Sequence, residues 1–438
     1  MRFIHTADWH LGNQMHDIDR REESRIFFRW LKTQIIAKQA DTLIVAGDIF
    51  DVANPPVEAR KLYYTFLASL VDSCCKNVII IGGNHDSAIL LDAAKELLEV
   101  LNIRVVGSIN DLSPEDMCFE LTDADDKVCG ICMAVPFVRE VELRSIDDQT
   151  IADKDLYSQA FKKLYADVFA AADTLRAERN IPIVATGHLY ATDLEGRLSD
   201  VASNTKTDDG VKVLDVLGTL GNVPPSVFPP ADYVALGHIH YTTTVAKNPA
   251  IRYSGSPFVM GFDEAQIPHY VLYGSLSKSD GEKTNGSSTL AIEKLEVPQP
   301  FVYRRLSGTL SEIKRELQKL SALTEPSSEK AQESPKPVYL ELCYKREFGV
   351  NAQEFLDEAI HALPKTMTVV SWKIADTEHA FSGGGFDQFD ATEVKNLDDR
   401  EIFTQLILTK SGLSAESEEG KKAIETFLPL FLQLAEEN

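Results

Sequence analysis

Asp8 and His10 stand two residues apart where the opening apolar run Arg2-Phe3-Ile4 gives out, in the segment HTADWHLG. Side chains at i and i+2 of an extended segment point the same way, so a carboxylate and an imidazole are expected to converge. Four more short apolar runs end alike. TLIVAGDIFD delivers Asp48, NVIIIGGNHD delivers Asn84, His85 and Asp86, IPIVATGHLY delivers His188, and ADYVALGHIH delivers His238 and His240. Five of the ten histidines of the chain fall in this set, which argues against scattered core histidines.

Buried together, these groups would leave donors and acceptors unmatched, at roughly 1–3 kcal/mol each. Bound cations remove that penalty. Asp8, His10, Asp48, Asn84, His85, His188, His238 and His240 are too many for one tetrahedral site, and a mixture of carboxylate, imidazole and amide oxygen suits divalent ions with five or six ligands. Two ions are therefore expected, with Asp48 able to bridge them through its two oxygens. Such a pair, ~3.5–4 Å apart, acidifies water and neutralises a phosphoryl group, so the expected reaction is hydrolysis of a phosphate ester. Taken singly, Asp8 could be a helix N-cap and Asn84 a turn residue. Recurrence of the same ligand chemistry at successive strand ends favours the metal site.

The elements that must position these residues are legible in outline. Near-continuous β-branched and apolar runs are strands covered on both faces, and helical patterns such as REESRIFFRWLKTQIIAKQ and ARKLYYTFLASLVDS lie between them. Alternating β and α indicates an α/β layered fold whose ligands gather past the carboxyl ends of the strands. The stretch SLSKSDGEKTNGSS, from Ser275 to Ser288, reads as a polar surface loop. Beyond it, strand and helix patterns alternate through residues 299–376 as a small α+β domain. Gly383-Gly384-Gly385 then opens an acidic connection to two apolar helical patterns, LDDREIFTQLILTKSG and EEGKKAIETFLPLFLQLA, which need burial either on their own chain or on a partner.

With 438 residues the chain should form two or three domains, and 44% hydrophobic and 25% charged residues are ordinary for a globular protein. Residues 1–12 lack the order of a signal peptide, and no apolar stretch reaches the ~18 residues of a membrane span. A cytoplasmic protein with reduced thiols and no membrane attachment is expected. Cys129-Gly-Ile-Cys132 lies in an apolar run without a second pair, so it reads as structural rather than as a zinc site. The net charge of -23 opposes binding of a polyanion unless local basic groups, cations or a partner intervene. Arg21, Arg25 and Arg29 share one helix face, but Glu22 and Glu23 beside them indicate a solvated face more than a DNA track.

The order Asp8-Trp9-His10, Gly47-Asp48, Gly83-Asn84-His85-Asp86, Gly187-His188 and Gly237-His238-Ile239-His240 resembles the calcineurin-like metallophosphoesterase superfamily. Finer features, PPADYVALGHIH and YSGSP among them, resemble its DNA nuclease subunits. The resemblance implies a layered α/β/β/α core over residues 1–298, a capping domain over 299–376, and a linker with a helical partner-binding pair over 377–438. It implies that Asp8, His10, Asp48 and His240 hold one ion while Asp48, Asn84, His188 and His238 hold the other. The ions would be two Mn2+ per chain, with Mg2+ or another divalent ion as the alternative. His85 would stabilise charge or donate a proton at the scissile phosphate, and Asp86 would hydrogen-bond a ligand from behind. DNA, an ATPase subunit gripped by the C-terminal helices, and a homodimer within a heterotetramer are the implied partners, near the nucleoid. A phosphodiesterase for small nucleotides, or a phosphomonoesterase, is the alternative within the superfamily.

Overall fold

Six parallel or antiparallel strands form each of two sheets whose inner faces pack on one another. The computed structural model describes residues 1–16, 18–144, 154–191, 222–278, 288–323, 336–345 and 350–374, with isolated positions between 417 and 428. The first sheet runs, edge to edge, through Ser288–Glu296, Tyr270–Lys278, Arg2–Thr6, Thr42–Ala46, Asn77–Ile81 and Ile103–Val106. The second runs through Thr243–Val245, Asn248–Tyr253, Tyr233–Gly237, Ile183–His188, Val128–Met133 and Cys118–Thr122. Within each, the central strands are parallel.

Thr42–Ala46, Asn77–Ile81, Ile183–His188 and Tyr233–Gly237 are buried at every position, as strands covered on both faces must be. On the outer face of the first sheet, Ile4, Leu43, Val45 and Ile80 pack against Phe27, Phe28, Leu31, Phe66 and Leu67 of helices Arg21–Lys38 and Val57–Leu70. On the outer face of the second, Ile183, Ala185 and Leu236 meet Phe161, Leu164, Tyr165 and Val168 of helix Lys154–Arg176. Between the sheets lie Phe3, Ile44, Val184, Tyr233, Ala235 and Leu276. The order of layers is therefore α/β/β/α. Helix Arg21–Lys38 carries Glu22 and Glu23 in its first turn and Lys38 in its last, the polarity that its dipole favours.

One stretch differs from expectation. Residues 276–278 and 288–289 are strand, because Ser277 pairs with Thr289 and Lys278 with Ser288 in an antiparallel hairpin. Leu276 is buried against Phe3 and Ile44, and that single apolar contact outweighs the polarity of its neighbours.

The small domain is built from Val302–Gly308, Val338–Tyr344 and Met367–Ile374, all parallel and joined through helices Leu310–Leu323 and Ala352–His361. Leu310, Ile313, Leu317, Leu340, Leu342 and Leu356 make its core. On the side toward the two large sheets, Tyr303 is buried with Met15, Ile18, Val259 and Phe262. Met1–Ile374 is one compact unit and Ala375–Asn438 another. The two C-terminal helical patterns lie outside the described residues except for isolated helical positions, among them Lys421, Lys422 and Phe427. Among the described residues no helix is long and apolar enough to cross a membrane.

A polar tie fastens the sheets. His5 of the first sheet, fully buried, places Nδ1 2.9 Å from Tyr233 Oη and Nε2 3.2 Å from Leu236 O, both on the second. The carbonyl can only accept, so Nε2 carries the proton and Nδ1 accepts from the tyrosine. Burial holds the His5 pKa down to about 3. The unfolded chain binds a proton near pH 6.5 that the folded chain refuses, so stability falls as pH drops from 6.5 toward 3, by about 1.4 kcal/mol per unit. His5→Gln is expected to be less stable than the wild type at pH 7 in urea unfolding, with the gap narrowing by about 2 kcal/mol at pH 5. A gap independent of pH would contradict this linkage.

Candidate metal centre

The carboxyl ends of Arg2–Thr6, Thr42–Ala46, Asn77–Ile81, Ile183–His188 and Tyr233–Gly237 meet at one rim, and every expected ligand either closes or follows one of them. Asp8, Asp48 and His188 each offer a ligand atom within 4.8 Å of the others, and so do Asp8, His10 and His240. A third such group is His10, Asp51 and His85.

Asp8 and His10 do converge, but not through a strand's pleat. The strand stops at Thr6, and Asp8 and His10 take φ of 55° and 42°. Asp8 N–H donates to Gly47 O and His10 N–H to Asp48 O, each at 3.0 Å, so the turn is zipped onto the neighbouring loop. Trp9 between them points away and is wedged among Phe27, Phe28 and Phe66, with Nε1 donating to Thr6 Oγ1 at 3.0 Å. Asp48 and His238 also have positive φ, 49° and 98°. Left-handed conformations of such residues cost of order 1–3 kcal/mol each and persist only where surrounding bonds fix them. Gly47 and Gly83 are required by space: a Cβ on Gly47 would strike the His188 ring, and one on Gly83 the Asp48 carboxylate.

Asp48 occupies the middle. Its Oδ2 lies 3.5 Å from His10 Nε2 and 3.3 Å from His188 Nε2, while Oδ1 accepts His85 N–H at 2.9 Å. His188 Nδ1–H donates to Ala46 O at 2.9 Å, turning Nε2 toward Asp48 and toward Asn84 Oδ1 at 3.0 Å. Asn84 Oδ1 is also 3.0 Å from His238 Nδ1, and His238 N–H donates to Asp8 Oδ1 at 2.8 Å. When His188 is neutral, its Nε2 lone pair faces two oxygens that can only accept. Asp8 Oδ2 and His10 Nε2 are buried without a hydrogen bond, and His10 Nδ1, equally buried, meets the Asp51 carboxylate at 3.2 Å without hydrogen-bond alignment. Facing acceptors and orphaned buried donor atoms of O and N type fit divalent cations.

The electrostatics agree. Burial opposes ionisation of Asp48, but His188, His10 and the His85 N–H together hold its carboxyl well below the usual range. Burial works against charge on His188 too, and the Asp48 carboxylate overcomes it, lifting the imidazole to about 9. His240 is likewise raised to about 9 against burial, chiefly by Glu264 and then Asp8. His238 goes the other way, to about 3, through burial and the neighbouring His188. Cations entering here compete with protons for nitrogens that the carboxylates make basic.

Asp86 differs from expectation. Its hydrogen bonds run to backbone and not to a ligand side chain: Oδ2 accepts from Ile49 N–H at 3.0 Å and Gly83 N–H at 2.9 Å, and Oδ1 from Phe50 N–H at 2.9 Å. It thereby staples the loop after Asp48 to the loop before Asn84. Burial and the Asp48 charge raise its pKa to about 6. His85 is exposed at the rim, its Nδ1 2.8 Å from Asp51 O.

Two acidic neighbours escaped the sequence reading. Asp51, three residues after Asp48, lies with Oδ1 3.2 Å from His10 Nδ1. Its signal was the second aspartate of GDIFD. Glu264 lies 3.6 Å from His240 Nδ1 in a stretch with no periodic pattern, and nothing in the sequence marked it. Ser256, within YSGSP, donates from Oγ to Asp8 O at 2.8 Å and from N–H to His240 O at 3.0 Å, joining two ligand loops. Arg21, Arg25 and Arg29 are exposed and ion-paired with Asp19 and Glu22, as a solvated face should be.

Comparison with known proteins agrees with this geometry. The pattern of the family described as "Calcineurin-like phosphoesterase" matches residues 1–242. The SbcD chain of the SbcCD nuclease of Escherichia coli strain K12 is 33% identical over 323 residues, 73% of this chain and 74% of that one. The corresponding SbcCD nuclease chains of Rhodobacter capsulatus and Bacillus subtilis are 30% and 29% identical, covering 75% and 72% of this chain and 78% and 74% of theirs. A rim of Asp, Asn and His at the ends of two facing sheets, a family pattern over residues 1–242, and these long alignments lead to one conclusion: the chain belongs to the calcineurin-like phosphoesterases, a metal-dependent family, with the SbcD nucleases among its relatives.

Proposed function

We propose that the chain is a metal-dependent DNA nuclease subunit, cleaving phosphodiesters at duplex ends and hairpins beside an SbcC-type ATPase in repair and recombination. The observation that carries this reading is the convergence of Asp8, Asp48 and His188, three residues far apart in sequence, with ligand atoms within 4.8 Å of one another. The likeness to the SbcD nucleases supports DNA as the substrate.

In this proposal Asp8, His10, Asp48 and His240 hold one divalent cation and Asp48, Asn84, His188 and His238 the other, both Mn2+. When bound, the cations supply Lewis acidity toward the phosphoryl oxygens and an acidified water. The protein does the rest. Asp48 is fixed by the His85 amide and its two imidazole neighbours, so it need not reorganise when charge develops. His85 is held through Nδ1 by Asp51 O, which leaves Nε2 as the nitrogen able to keep or release a proton at the leaving oxygen. Its exposure suits a group that meets substrate.

The small domain at 299–376 would cap the DNA, and segment 377–438 would dock its helices on the ATPase. A homodimer inside a heterotetramer completes the assembly. With fourteen acidic and five basic residues from Asp376 onward, that end of the chain repels DNA. Contact with the phosphate backbone then rests on the cations and on the partner.

Asp48→Ala and His85→Ala are both expected to lower cleavage of end-labelled duplex at least a hundredfold. Bound manganese, measured by mass spectrometry, should fall in the first and stay in the second. Loss of metal from His85→Ala would remove it from its assigned role, and full activity of Asp48→Ala would remove the metal mechanism. Asp86→Asn keeps the shape but replaces one acceptor by a donor facing an amide. It is expected to weaken Mn2+ binding about tenfold by loosening both loops, a size typical of positioning partners, as read by titration calorimetry.

A further inference from the structure

Behind His10 a line of polar contacts leads out of the metal centre to the small domain. Asn13 Nδ2 donates to Asp51 Oδ1 at 3.0 Å, and Asp51 Oδ1 lies 3.2 Å from His10 Nδ1. At its other end Asn13 Oδ1 accepts from Arg20 Nη1 at 3.0 Å. Arg20 is buried, donates from Nε to buried Glu23 at 2.6 Å, and lies 5.7 Å from the ring centre of Phe258 and 5.8 Å from that of Tyr303. Tyr303 belongs to the first strand of the small domain.

The chemistry of the chain allows one orientation only. A guanidinium can only donate and a carboxylate only accept, so the residue between them must accept at one end and donate at the other, as an amide does. A cavity of about 400 Å³ adjoins this line, bounded by His10, Asn13, Arg20 and Glu23 together with the apolar Trp9, Ile18, Phe258 and Met260. We propose that Asn13 and Arg20 are positioning residues: acting through Asp51, they set the His10 ring so that Nε2 faces Asp48, and they tie that setting to the seat of Tyr303.

This rests on His10 being a metal ligand, and the experiment separates the two ideas. Mn2+ binding to the full-length protein is measured by titration calorimetry for the wild type, His10→Ala, Asn13→Ala and Asn13→Asp, with melting temperature recorded for each. The expected result is binding at least tenfold weaker in Asn13→Ala and weaker again in Asn13→Asp, with melting temperatures near that of the wild type. Asn13→Asp is the discriminating variant. It is isosteric and gains charge complementarity to Arg20, so a merely structural role would leave it as good as wild type, whereas here it faces Asp51 with an acceptor. Replacing Arg20 alone would strand Glu23, so the double variant Arg20→Met, Glu23→Gln is used instead and should also bind Mn2+ more weakly. If His10→Ala loses affinity while the Asn13 variants bind like the wild type, the positioning role is refuted alone. If His10→Ala binds like the wild type, His10 is no ligand and both ideas fall.

Discussion

His188 on the second sheet bonds the carbonyl of Ala46 on the first at 2.9 Å, and the rest of the metal centre depends on the sheets coming that close at one end. The approach is a steric matter before it is a chemical one. Ala7, Ala46, Gly47, Gly83 and Gly237 line the closure, and a Cβ on Gly237 would run into the Ala46 carbonyl. Away from the rim, Phe3, Tyr233 and Leu276 fill the space between the sheets. Small residues at the rim leave room for the two sheets to meet where the candidate ligands stand. Only then can Asp48, carried by the first sheet, share its carboxylate with His188, carried by the second.

The same closure explains why strain collects here. Asp8, His10, Asp48 and His238 all adopt left-handed backbone, which turns side chains inward immediately after a strand instead of letting the chain run on. Three of the four are anchored through their backbone N–H, Asp8 and His10 on the Gly47 and Asp48 carbonyls and His238 on the Asp8 carboxylate. Trp9, wedged into the aromatic cluster of the outer layer, keeps the Asp8–His10 turn from relaxing. The fold thus spends packing energy to hold acidic and imidazole groups in a geometry that solvated side chains would not choose.

Charge gives the site its direction. A chain of net charge -23 does not attract DNA as a whole, and its arginines at positions 21, 25 and 29 are occupied by acidic neighbours. What the centre offers a phosphate is local: carboxylates that gather positive charge, and imidazoles raised by the carboxylates they face or, at His238, lowered by burial and then by His188. Asp51 and Glu264 extend this arrangement outward, each beside one ring nitrogen of a candidate ligand.

The amino-acid sequence by itself determined which residues are candidate donors and that strands covered on both faces alternate with helices. Apolar runs ending in Asp48, Asn84, His188, His238 and His240 could be read without coordinates because burial on two faces and metal-type donors both leave local marks. The tertiary structure alone decided how the donors meet. That Asp8 and His10 converge through a left-handed turn, that Asp86 binds amides and not a ligand, that Glu264 stands beside His240, and that residues 276–278 belong to a strand all depend on atoms remote in the chain. Periodicity records which face of an element is apolar. It does not record which element covers that face, and a metal centre assembled between two sheets is a property of the covering.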